Sequence, residues 1–193
     1  MEHQNPSLIG DDGSPLKPRA LIQTVEATEV SSVIFTNLGA FTRYVIEVDN
    51  LIPQTDSTEL FVRFSTSGIF RDGASDYGWK NSTLHFGGGP SIQVDTLDSE
   101  IQVNFATFTI RFGNNINEDA DCTFYLDSLG SSTHFPKLRW EVLANSENSN
   151  PMHITGFGFY EGTTSGLAKI DGIQFFFGGG NISNGVFRLY GLE

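Results

Sequence analysis

Towards its C-terminal end the chain reads Ile170-Asp171-Gly172-Ile173-Gln174-Phe175-Phe176-Phe177, then Gly178-Gly179-Gly180-Asn181-Ile182, then Ser183-Asn184-Gly185-Val186-Phe187-Arg188-Leu189-Tyr190-Gly191-Leu192. Two apolar, aromatic-rich runs flank a turn built almost wholly from Gly, Asn and Ser. Gly and Asn accept the positive φ that tight turns need. The pattern predicts a β-hairpin in which the strand starting near Gly172 pairs antiparallel with the strand ending near Leu192. It constrains the chain to an all-β fold with little helix.

Composition agrees. The chain has 193 residues, enough for one domain with a substantial core. Its 17 Phe suit half-buried pleated surfaces, and its 21 Gly supply the turns between them. The expected architecture is a single antiparallel β-sandwich, jelly-roll or lectin-like, over residues 20–193. A net charge of −12 argues against nucleic-acid binding, because phosphate contacts need clustered Lys and Arg. The single cysteine, Cys122, excludes an intramolecular disulfide. Alternation puts it beside Phe124 and Leu126, as a small buried apolar residue. The first twenty residues carry no apolar core of a signal peptide, and no apolar run approaches the ~20 residues of a membrane helix. Synthesis in the cytoplasm is therefore expected, without membrane insertion, the protein either staying there or leaving as part of an assembly.

Residues 1–19 hold Pro6, Pro15 and Pro18 in a polar setting and read as an extended arm. Leu8, Ile9 and Leu16 are its candidate apolar anchors on a partner, and Lys17 and Arg19 its candidate charged ones. Beyond it, strands are predicted at Leu21–Ala27, Ser31–Phe35, Arg43–Asn50, Leu60–Ser65, Tyr77–His85, Ile101–Phe112, Cys122–Leu126, Leu138–Leu143 and His153–Tyr160, ahead of the closing pair. A turn is expected over Leu51–Asp56 and a β-bulge or strand break near Ala106. About ten to twelve strands result from such spacing. Trp140, Phe64, Phe105, Phe157, Phe175 and Leu189 are the predicted core.

Motifs for catalysis are sparse. Phe86 and Phe177 each begin Phe-Gly-Gly-Gly, but no Gly-Lys-Ser/Thr follows, so neither is a phosphate loop. Asn117-Glu118-Asp119-Ala120-Asp121 opens like a calcium loop but lacks the Gly and Glu such a loop needs later, and reads better as a solvated acidic loop. No metal or other cofactor is expected. Glu100 with Glu141 is a conceivable carboxylate pair for glycoside hydrolysis, with nothing to single it out. Asp76, Tyr77 and Trp79 are the candidate ligand residues: exposed rings beside a carboxylate could stack on sugars. Tyr77 and Trp79 are co-facial in an alternating run, so the competing reading is a core-facing strand.

Several segments together resemble a group of β-sandwich proteins from tailed-bacteriophage virions, of the tail-fibre or capsid-surface type. They are Val33 to Leu38 (V-x-F-x-N-L), Tyr44 to Asp56 (Y-x-I-E-V-D-N-L-x-P-x-T-D), Leu60 to Gly68, the Ser75 to Trp79 loop, the T-G-F-G-F-Y-E-G-T-T-S-G stretch beginning at Thr155, and the I-D-G-I-x-F-F and L-Y-G-L ends of the closing pair. The resemblance spans roughly Leu21 to Leu192. It implies a non-enzymatic virion structural protein, either a capsid decoration or cement protein or the head of a tail fibre or spike. The implied partners are copies of itself, as a homotrimer, other virion proteins, and in the alternative reading host surface glycans. A carbohydrate-binding module, or less readily a glycan-active enzyme, is the alternative from outside that class.

Overall fold

Alternating side chains give each strand one apolar face, and two sheets bury those faces against each other. The computed structural model describes residues 19–85, 90–104, 111–129, 134–146, 148, 150–162 and 169–192. Its strands are β1 (Ala20–Val30), β2 (Val33–Thr36), β3 (Arg43–Pro53), β4 (Leu60–Thr66), β5 (Ile69–Phe70), β6 (Tyr77–His85), β7 (Ser91–Asp98), β8 (Ile101–Gln102), β9 (Ala120–Asp127), β10 (Lys137–Asn145), β11 (Pro151–Tyr160), β12 (Gly172–Phe177) and β13 (Ile182–Leu192). The larger, eight-stranded sheet runs β1-β13-β3-β9-β10-β11-β6-β7, and the smaller runs β2-β12-β4-β5 with β8 added on β4. Every pairing is antiparallel. The fold is thus an all-β antiparallel sandwich, as expected. No helix occurs among the described residues, so none is long and apolar enough to cross a membrane.

The closing pair is not a hairpin. β12 pairs with β2 and β4 in the small sheet, whereas β13 pairs with β1 and β3 in the large one. The Gly178–Asn181 link is an arch from one sheet to the other. Side by side, the two strands would have offered their aromatic faces to the same side. Across an arch the faces meet, with the Phe175 and Phe187 rings 5.6 Å apart. Polar groups of the link are satisfied by neighbours. Gly178 N–H donates to Glu59 O (2.9 Å), and Asn181 Nδ2 donates to Glu29 O (3.1 Å). Gly180 has φ of +72° and lies against the Thr55 side chain, so glycine is needed there.

The core spans the interface. Trp140, Phe124 and Phe187 of the large sheet meet Phe35, Phe64 and Phe175 of the small one, all essentially without exposed surface. Each such side chain contributes about 1.5–3 kcal/mol by leaving water. Trp140, Phe64, Phe175 and Leu189 are buried as predicted, but Phe157 is 52% exposed. Phe105 and the expected bulge near Ala106 lie outside the described residues. Cys122 is buried between its register partners Val48 and Val142, and burial pushes its thiol well above the usual range.

The expected turn at Leu51 is a continuation of β3. Its register shifts between Val48 and Leu51, with Asn50 at φ 51° and its N–H on Asp121 Oδ1 (3.1 Å), and this bulge aims Leu51 into the core. β7 was missing from the sequence reading. It is an edge strand whose Ile92, Val94 and Leu97 are all exposed, so it lacks the buried face that alternation detects.

Candidate functional site: the outer face of the large sheet

The sequence candidates are brought together, but inside the molecule. Tyr77 and Trp79 are almost fully buried, and Asp76 nearly so. The odd-numbered residues of β6 face the small sheet. The Tyr77 ring packs on Phe64 and Tyr160, and its hydroxyl accepts from Phe64 N–H (2.8 Å) and lies 3.1 Å from Arg71 O. Burial, with a smaller push from the Asp76 carboxylate, holds its pKa well above the usual tyrosine range. Trp79 Nε1 donates to Asp98 Oδ2 at 3.0 Å. Asp76 accepts from Gly73 N–H (2.9 Å) and closes its own turn. Rings with no open face cannot stack on a sugar, so the exposed-platform expectation is corrected to the core-facing one.

Other candidates fare similarly. Glu118 is buried, not solvated, and takes the backbone and side-chain N–H groups of Asn115 (3.1 and 2.8 Å). Glu100 pairs with Arg63 of the small sheet, and Glu141 with His153 on the outer face of the large sheet, so the structure does not unite those two carboxylates. Arg19 pairs with Glu47 of its own chain at 2.7 Å. Leu8, Ile9, Leu16 and Lys17 lie outside the described residues.

A different constellation stands on the outer face of β9, β10, β11 and β6. Register places Tyr125, Arg139, Phe157 and Lys80 in one row across these strands. Beside it runs the row Thr123, Glu141, Thr155 and Ser82, and on the other side Asp127, Lys137, Phe159 and Gly78. The glycines explain why aromatics are outside. A Cβ on Gly156 would run into the Trp140 indole and come within 2.7 Å of Lys80 O; one on Gly158 would meet Ile101 Cδ1 at 2.8 Å. Positions 156 and 158, on the inner face of β11, therefore have to be bare, because large core side chains lie against them. Phe157 and Phe159 are left pointing to solvent. Gly78 repeats the device outside, since its missing side chain leaves room for the Phe159 ring.

The result is a relief of two hollows divided by Phe157. One, of about 610 Å³, is lined by Asp127, Phe135, Lys137, Leu138, Arg139, Phe157 and Phe159. The other, of about 330 Å³, is bordered by Lys80, Ser82, Arg139, Glu141, Thr155 and Phe157. The Arg139 guanidinium lies over the Tyr125 ring, 4.0 Å from its centroid, which holds it in place. Arg19, Arg43, Arg63, Arg111 and Arg188 each meet a carboxylate. Lys80, Lys137 and Arg139 meet none among the described residues, as is also true of Arg71 and Lys169 elsewhere.

Sequence reasoning missed this site because it assigned Phe157 to the core. The Gly156-Phe157-Gly158-Phe159 alternation was the available signal: glycine on one face of a strand marks the side that large neighbours crowd. No protein-family model matches the chain, and no curated protein matches it.

Proposed function

We propose that this chain is a non-enzymatic structural protein of a tailed-bacteriophage virion, exposed on the particle as a capsid decoration protein or as the head of a tail fibre or spike. The observation that carries the reading is the open edge of the large sheet. β7 has no further strand partner among the described residues, and Leu84, Ile92 and Val94 stand exposed beside one another there on the outer face. Contiguous exposed aliphatic side chains next to an unpaired edge suit packing against another protein chain. The motif resemblance supports the virion setting, and with it a homotrimer in contact with other virion proteins. The test is cryo-EM of intact particles carrying a labelled copy of the chain. Density for the sandwich at the surface, with the β7 edge against a neighbour, is the expected result. Particles that lack the chain would end this reading.

A further inference from the structure

We propose that Phe157, Arg139 and Lys80 form a binding site for an acidic saccharide, a sugar ring carrying a carboxylate. The site goes beyond the virion reading and belongs to the isolated chain.

Phe157 is half-exposed on β11, an interior strand of the large sheet with β6 and β7 between it and the open edge. A ring in that position offers its face to a flat apolar surface, and the underside of a pyranose is one. On the neighbouring strands its register partners are Arg139 and Lys80. Cross-strand neighbours stand about 5 Å apart at their Cβ atoms, so the two cationic side chains rise on either side of the ring. Neither cation meets a carboxylate among the described residues, although the chain carries 23 acidic residues and 11 basic ones. Arg139 is already fixed over Tyr125, so less side-chain freedom is lost when it binds an anion. The adjacent row offers the groups a sugar's hydroxyls need. Glu141, steadied by His153 at 3.0 Å, is an acceptor, and Thr155 and Ser82 can both donate and accept.

The same geometry argues against other anions. β10 and β11 are central strands whose backbone groups are already committed to neighbours on both sides. An acidic peptide would find no main-chain partners there. Duplex DNA places a charge every ~1.7 Å, far denser than a pair of free cations can answer on a chain of net charge −12.

The experiment is calorimetric titration of the purified full chain with a galacturonic acid trisaccharide, the matched neutral galactose trisaccharide and an oligo-aspartate peptide. The acidic sugar should bind, and binding should weaken as salt rises. Phe157→Ala should weaken it by at least about tenfold, and Arg139→Gln or Lys80→Gln by about three- to tenfold each. The neutral sugar should bind at least about tenfold more weakly than the acidic one. These side chains lie outside the core, so a melting temperature within a few degrees of the parent's in each variant confirms that the loss is local. The proposal is overturned by no saturable binding of the acidic sugar, by equal binding of both sugars, or by binding that ignores all three substitutions. Tighter binding of the peptide would also overturn it, by assigning the face to an acidic protein partner. None of these results bears on whether the chain is found on particles.

Discussion

Two aromatic groups lie back to back in adjacent strands and have opposite fates. Tyr77 of β6 and Tyr160 of β11 point inward and pack ring on ring, 5.5 Å apart, with the Tyr77 hydroxyl satisfied by backbone. Phe157 and Phe159 of β11 point outward with Tyr125, Arg139 and Lys80 around them. The residue types barely differ. The antiparallel register pairs Tyr160 with Tyr77 and Phe157 with Lys80, so odd positions of β6 and even positions of β11 share the inner face. Aromatic content therefore says little about burial unless the strand's glycines and its partner's bulk are read with it.

The sharpest way to break the contrast is truncation on each side. Tyr77→Ala should cost about 3–5 kcal/mol, in line with emptying a core aromatic site. Phe157→Ala should cost less than about 0.5 kcal/mol, like other exposed substitutions. Urea denaturation measures both, and comparable losses would mean that β11 faces the other way. Adding a methyl tests the same assignment more gently. Gly156→Ala drives a Cβ into Trp140 and the Lys80 carbonyl, and overpacking of that kind costs about 1–3 kcal/mol. Gly78→Ala meets only the Phe159 ring tip on the solvent side, which can swing away, so its effect should stay within about 0.5 kcal/mol.

Titration distinguishes the buried side again. The raised Tyr77 pKa means that the folded chain keeps a proton the unfolded chain gives up near pH 10. Stability from this group is complete below that pH and declines as pH rises further. Cys122, raised by burial, adds a decline of the same sign that begins nearer pH 9. Unfolding curves between pH 8 and about 11 should therefore fall less steeply for Tyr77→Phe than for the parent chain. A parallel fall would remove Tyr77 as a source. A similarly small effect is expected of Arg139→Gln, which forfeits an exposed cation–π contact worth about 0.5 kcal/mol. Its consequence should be seen in ligand titration more than in stability.

Much of the sandwich is legible in the sequence. The strands over Arg43–Asn50, Leu60–Ser65, Tyr77–His85 and Leu138–Leu143 lie within those observed, because each has a solvent face and a core face that alternate. β7 escaped notice because an edge strand exposed on most of its length has no such contrast. Leu51 was read as a turn because a bulge at Asn50 breaks the alternation just before it. The candidate site fared worse. Asp76, Tyr77 and Trp79 were chosen for their chemistry in a polar stretch, while Lys80, Arg139 and Phe157 lie in separate strands and meet only through register.

What the sequence determined by itself is local: which segments extend, which side chains share a face, and that the chain is all β. Those properties follow from the two-residue period of a strand and the conformational tolerance of Gly and Asn. Tertiary structure alone decided which of two faces is the inner one, and whether strands joined by a glycine turn pair edge to edge or meet across the core. Alternation is symmetric between the two faces of a strand. A turn that accepts positive φ serves a hairpin and an arch alike, so only contacts with distant strands, such as Trp140 under Gly156 and Phe187 against Phe175, select between them.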